Sequence, residues 1–199
     1  MSTGHGLRLG VLVFDGAEEL DVVGPYEVLA VWSALSPMKP QVVTFSRDGA
    51  GVRCAHGVRL LPDGDADEVA PLHVLVHPGG PGARALATQP EHLAWLRDVR
   101  RKVPLLTSVC TGALPLAAAG LLAGRTATTH RASVDELAAL DPSVLVDTEA
   151  RFVDDGDVVT SAGVSAGIDM ALHLVARLES PAMARQVRGE LQYEPEPPD

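Results

Sequence analysis

The chain is divided by apolar runs of strand length, each closed by a turn signal and followed by a stretch with helical spacing. LRLGVLVF (7–14) is almost continuously apolar and ends on Asp15-Gly16, which predicts a buried parallel strand. PQVVTFS (40–46), HVLVHPGG (73–80), PLLTSVC (104–110) and RTATTH (125–130) repeat that signal. Helices are expected over 19–35, 90–102, 113–122, 133–140, 167–178 and 181–193. In the first of these Gly24-Pro25 interrupts the pattern, which puts Pro25 near the first turn of the main helix. Ser133, with Glu136 three residues later, reads as the N-cap of the helix over 133–140. Residues 52–61 look like a small hairpin around Gly57, and 144–161 contains a strand pair turning at Asp155-Gly156. Strands alternating with helices give the α/β class: a doubly wound, mostly parallel sheet with helices on both faces. A length of 199 residues is enough to bury a sizeable core, and one domain over 1–199 is the expectation.

In such sheets ligands sit beyond the carboxyl ends of the strands. Asp15-Gly16, His77–Gly80 and Cys110-Thr111 all fall at those ends, so three loops converge on one rim. Cys110 stands at a strand-to-helix corner. There the helix N-terminus presents unpaired N–H groups, which favours a thiol below its free value of about 8.5. The small residues that follow, Thr111-Gly112-Ala113, leave room above the sulfur, and a sharp corner exposes its central side chain. Such a thiolate suits nucleophilic attack; a buried core cysteine is the alternative reading of the same stretch. Cys54, on the short hairpin, is read as structural. Gly79 and Gly80 in HPGGPG (77–82) let the backbone approach a ligand and aim N–H groups at developing negative charge. His77 is read as shaping that turn. GAEELDVVGP (16–25) offers Glu18, Glu19 and Asp21. Apolar Val22-Val23 after Asp21 turns its side chain inward, where a carboxyl beside a thiolate keeps its proton and can shuttle it.

Other classes fit poorly. A formal charge of -10 argues against a nucleic-acid footprint. No uninterrupted apolar stretch is long enough to span a membrane, and the first residues lack a signal-peptide layout, so the cytoplasm is expected. Two cysteines do not make a disulfide framework. The histidines at 5, 56, 73, 77, 92 and 173 show no metal-ligand spacing, and no metal is expected. The tail EPEPPD reads as a surface segment.

FDGAEELDVVGP, HPGGPG, VCTGALPLAAAGLLAGRTATTH and VVTSAGVSAGIDMALHLVARL, in that order and over nearly the whole chain, resemble the ThiJ/PfpI (DJ-one) superfamily. Within it the chain is similar above all to the isocyanide hydratases and to the amidotransferase-like sensor domains of AraC-type regulators. The resemblance implies a flavodoxin-like, class I glutamine amidotransferase-like sandwich, a homodimer, a small-molecule substrate and no cofactor. In the hydratases a cysteine attacks the isocyanide carbon, a thioimidate forms, and water releases an N-substituted formamide. Carried over by motif, Cys110 is the nucleophile and Asp21 the proton relay, with Thr111 beside them. The backbone N–H of Val164 approaches the sulfur, and Gly79 and Gly80 supply the neighbouring loop. Thr111 occupies the place where the superfamily's peptidases carry histidine, which speaks against proteolysis. Aspartate rather than glutamate at position 21 weakens a glyoxalase-type activity. His130 invites a Cys-His dyad but is read as structural. A ligand- or redox-sensing protein is the alternative to the enzyme.

Overall fold

The computed structural model describes residues 6–195; the first five residues and the last four, most of the EPEPPD tail, lie outside the described residues. In chain order the elements are β1 (Arg8–Leu12), α1 (Glu19–Leu35), β2 (Gln41–Ser46), β3 (Val52–Arg53), β4 (Arg59–Leu60), β5 (Gly64–Asp65) and β6 (Val74–His77). They continue with α2 (Pro81–Leu86), α3 (Pro90–Lys102), β7 (Leu105–Val109), α4 (Ala113–Ala118), β8 (Thr126–Ala127), α5 (Val134–Leu140) and β9 (Leu145–Val146). The hairpin β10 (Phe152–Asp155) and β11 (Val158–Ser161), then α6 (Ala166–Leu178) and α7 (Pro181–Glu190), complete the set.

Seven strands form the central sheet in the order β10-β11-β7-β6-β1-β2-β5, parallel throughout except for the β10–β11 hairpin at its edge. That hairpin turns at Asp155-Gly156 as expected, with Gly156 at φ 75°. β1 pairs with β2 on one side and β6 on the other, so the chain reverses its winding beside β1. The apolar runs bury both sheet faces, because successive side chains point to opposite sides. Val74 and Val76 pack with α1 and α6 residues such as Trp32, Met170 and Leu174. Leu75 and Leu106 pack with Leu96 of α3, Leu114 and Leu116 of α4 and Leu137 of α5. The α/β sandwich expected from the alternating runs is the one observed.

Four local expectations are corrected. RTATTH does not join the main sheet: only Thr126–Ala127 pairs, in parallel with Leu145–Val146, as a separate two-stranded piece. Beyond it the Thr128 amide donates to Thr160 Oγ1 and the Thr129 hydroxyl to the Cys110 carbonyl. Pro25 lies inside α1 rather than at its start, although it has no N–H to donate to the Asp21 carbonyl. The close crossing of α6 holds the helix there, since a Cβ on Gly24 would meet Ile168 Cγ1 at 3.1 Å and one on Gly167 would meet Pro25 Cγ at 3.2 Å. Ser133 precedes α5 but makes no side-chain cap. Its hydroxyl accepts Arg84 Nη2 at 2.8 Å, and the same guanidinium holds Glu136, so a longer-range cation captures both halves of the expected capping box. Finally, the helix after Cys110 is short: a 3-10 turn over Cys110–Gly112 leads into α4, which ends at Ala118.

Candidate active site

β6 and β7 are adjacent and in parallel register, His77 against Ser108, so the loops that follow them leave the sheet side by side. Cys110 follows β7 and takes φ 57°, a left-handed conformation that is strained for a residue with a Cβ. Three contacts impose it. The Cys110 amide donates to Ala162 O at 3.1 Å, and the Cys110 carbonyl accepts the Thr129 hydroxyl at 2.8 Å. Gly112 then passes so close to the β6 loop that a Cβ there would meet His77 O at 2.3 Å. Val164, at φ 51°, is a second strained residue at the same rim, between β11 and α6.

Asp21, in the first turns of α1, is fully buried. Its Oδ2 accepts the Gly79 amide at 2.9 Å, while Oδ1 is buried without a well-aligned partner. The Gly80 amide donates to Thr111 Oγ1 at 2.8 Å. The structure therefore puts Gly79 and Gly80 beside the cysteine loop, but with both amides already bonded inside the protein. They build the site rather than offer free donors to a ligand, which corrects the donor role expected of them. Only glycine fits: a Cβ on Gly79 would lie 2.6 Å from the Thr111 nitrogen, and one on Gly80 (φ 106°) 2.4 Å from the Glu18 nitrogen. The N–H groups that do point at the sulfur are those of Thr111 and Val164.

The electrostatics correct another expectation. Burial pushes the Cys110 thiol up to about 12, and the Asp21 charge adds to the rise. The amides of Thr111 and Val164 and the Thr111 hydroxyl oppose it without overcoming it. Burial also pushes the Asp21 carboxyl up to about 7; the Gly79 amide and the Cys110 thiol act against this and the Glu18 charge adds to it. Burial and mutual repulsion oppose two negative charges, so the pair keeps at least one proton near neutrality. Burial raises both groups, so the carboxyl holds its proton more tightly as expected, while the thiol is raised rather than lowered. The reason is the short helix: six residues after a 3-10 turn give little dipole against the desolvation of a sulfur in a residue only 6% exposed.

A family profile for the DJ-1/PfpI family matches residues 8–177. The chain belongs to the DJ-1/PfpI family. It is similar to isonitrile (isocyanide) hydratase from Pseudomonas putida, 38% identical over 192 residues that cover 96% of this chain and 81% of that protein. It is also similar to the HTH-type transcriptional regulator CdhR from Pseudomonas aeruginosa, 36% identical over 72% of this chain and 42% of the regulator. Among solved structures, a ThiJ/PfpI family protein from Pseudomonas syringae superposes with a TM-score of 0.86 at 32% identity, covering 100% of this chain and 81% of that one.

Other candidates have structural roles. His130 Nδ1 accepts the Ala132 amide at 3.2 Å, and the ring lies against Gly163. Cys54 is buried, and its thiol is raised by that burial and by surrounding carboxylates. Among the described residues, Glu18, Glu19 and His56 form one group whose potential metal-ligand atoms come together. Glu19 Oε1 already accepts the His56 and Val58 amides, and His56 pairs with Glu18, so these groups fasten the β3–β4 hairpin to α1. No helix among the described residues is long and apolar enough to cross a membrane. Two contributors carry no signal in the chain: the Ala162 carbonyl and the Thr129 hydroxyl, which set the Cys110 backbone. Backbone carbonyls carry no side-chain signature, and threonines in an apparent strand look like ordinary strand residues.

Proposed function

We propose that this chain hydrates small isocyanides to N-substituted formamides, with Cys110 as nucleophile and Asp21 as the base that ionises it. The observation that carries the proposal is the buried Cys110–Asp21 pair, with the Thr111 and Val164 amides beside the sulfur. Asp21 takes the thiol proton as sulfur bonds to the isocyanide carbon, and returns it to that carbon, giving the thioimidate R–N=CH–S–Cys110. Water then adds to the same carbon; one of its protons passes to nitrogen, the carbon–sulfur bond breaks, and the second proton returns the thiol. The sum is R–NC plus water giving R–NH–CHO. Negative charge on sulfur during attack and departure meets the Thr111 and Val164 amides. The similarity to the Pseudomonas putida hydratase supports this assignment. A ligand-sensing role is the second reading, supported by the similarity to the CdhR regulator over 72% of this chain. The substrate is a small molecule rather than a nucleic acid, and a second copy of the chain is proposed to close over the rim as a homodimer.

The test is turnover of p-nitrophenyl isocyanide followed by formamide release. Wild type should convert it while Cys110→Ala and Asp21→Asn lose nearly all activity. No turnover by wild type, or turnover that survives Cys110→Ala, rejects the hydratase.

A further inference from the structure

We infer that the buried histidine pair His77–His92 is a positioning device for the site, acting on Asp21 through the Pro78–Gly79 peptide group. This rests on the proposal that Asp21 carries the proton. The two side chains are 0% and 2% exposed and take no part in the chemistry proposed above. His77 Nδ1 lies 2.8 Å from Pro78 O, and His77 Nε2 lies 3.0 Å from His92 Nε2. A carbonyl only accepts, so Nδ1 of His77 carries a hydrogen. A neutral His77 then has a bare Nε2, which must accept from His92 Nε2–H, leaving His92 Nδ1 as a lone pair. His92 Nδ1 is indeed buried without a partner. Burial keeps both rings neutral, His77 down to about 4 and His92 to about 3, with His77 and Arg47 adding to the fall at His92.

The carbonyl of Pro78 and the amide of Gly79 belong to one peptide group, and that amide donates to Asp21 Oδ2 at 2.9 Å. Every donor therefore points the same way: His92 to His77, His77 to the Pro78 oxygen, the Gly79 N–H to the carboxylate. Hydrogen bonds in such a chain polarise one another, and donation to the Pro78 oxygen makes the Gly79 N–H the stronger donor. The pair also fixes the plane of that peptide. If the peptide rotated, its carbonyl would face the carboxylate. The ionisable groups facing Asp21 are Glu18, from the segment ahead of α1, and Cys110 on its loop. Those facing the histidines are each other and Arg47, from the turn after β2, which lies over the Trp95 ring beside His92. Of these only the Cys110 thiol also bonds Asp21, and the Gly79 amide is the larger of the two contacts through which its ionised form is favoured.

The test reads the Asp21 carboxyl directly, by carbon NMR of protein labelled at aspartate side-chain carbons, with the Asp21 signal identified by its loss in Asp21→Asn. His77→Leu should move the Asp21 midpoint upward by about half a pH unit or more. His77→Asn, whose amide nitrogen falls near Nδ1 and can still donate to the Pro78 oxygen, should restore most of it. A folded His77→Leu with an unmoved midpoint, or a His77→Asn shifted as far as His77→Leu, overturns the inference. If His77→Leu does not fold, His92→Leu should shift the midpoint the same way by less, and His92→Gln should not; an unmoved midpoint in folded His92→Leu also overturns it. Turnover of p-nitrophenyl isocyanide is measured on the same samples. A shifted midpoint in a protein without turnover rejects only the hydratase, and turnover with an unmoved midpoint rejects only the histidine device.

Discussion

Asp21→Asn should make the protein more stable at pH 8 while abolishing its chemistry. Asp21 is fully buried, and its carboxyl titrates at about 7 in the fold against 3.8 when unperturbed. Between those values the native chain binds a proton that the unfolded chain has released. Stability from this group is therefore complete below about pH 4 and is lost as pH rises through about 7. The span is roughly three pH units, or about 4 kcal/mol as an order of magnitude. An asparagine of the same shape keeps an oxygen for the Gly79 amide and has no charge to bury. In urea denaturation from pH 4.5 to pH 8, the difference between wild type and Asp21→Asn should grow by several kcal/mol in favour of the variant. Titrating groups remote from Asp21 are common to both proteins and cancel in that difference. A gap that stays constant with pH, or a variant less stable at pH 8, would falsify the picture of Asp21 as a buried base held ionised at a structural cost.

Two further outcomes follow from the same geometry. Alkylation of Cys110 by iodoacetamide should be slow at pH 8 and still rising at pH 10, because burial holds the thiol near 12; a rate that levels off below about pH 8.5 contradicts this. Thr111→Val removes the acceptor of the Gly80 amide, a buried donor, and should cost about 1–3 kcal/mol in urea denaturation while Thr111→Ser costs little; equal stability of the two variants would show that this bond contributes nothing.

The apolar runs, the Asp155-Gly156 turn and the order of elements were legible in the chain because they follow from local rules: side-chain alternation, turn chemistry and the need to bury both faces of a parallel sheet. The same rules put Asp15, His77 and Cys110 at carboxyl ends, and the motif around Cys110 pointed to the corner that the structure contains. The short edge strand β5 and the helix α2 went unread because Gly64–Asp65 and Pro81–Leu86 are too brief for a period to show. Ser133 and Glu136 spelled a cap by local spacing, but Arg84, 49 positions away from Ser133, took both groups.

What the sequence determined by itself is which atoms the site can use: one sulfur, one inward-facing carboxyl, a threonine, two loops of glycine. Tertiary structure decided how those atoms share a proton. The identity of a residue fixes its unperturbed acidity, but burial and the few nearest dipoles move it by several pH units, and both depend on neighbours remote in the chain. Gly79 turned its amide to Asp21 and Gly80 to Thr111, burial raised both the thiol and the carboxyl, and two histidines fifteen positions apart met beneath the loop. No local pattern encodes such meetings, because they exist only once the sheet has brought its strand ends together.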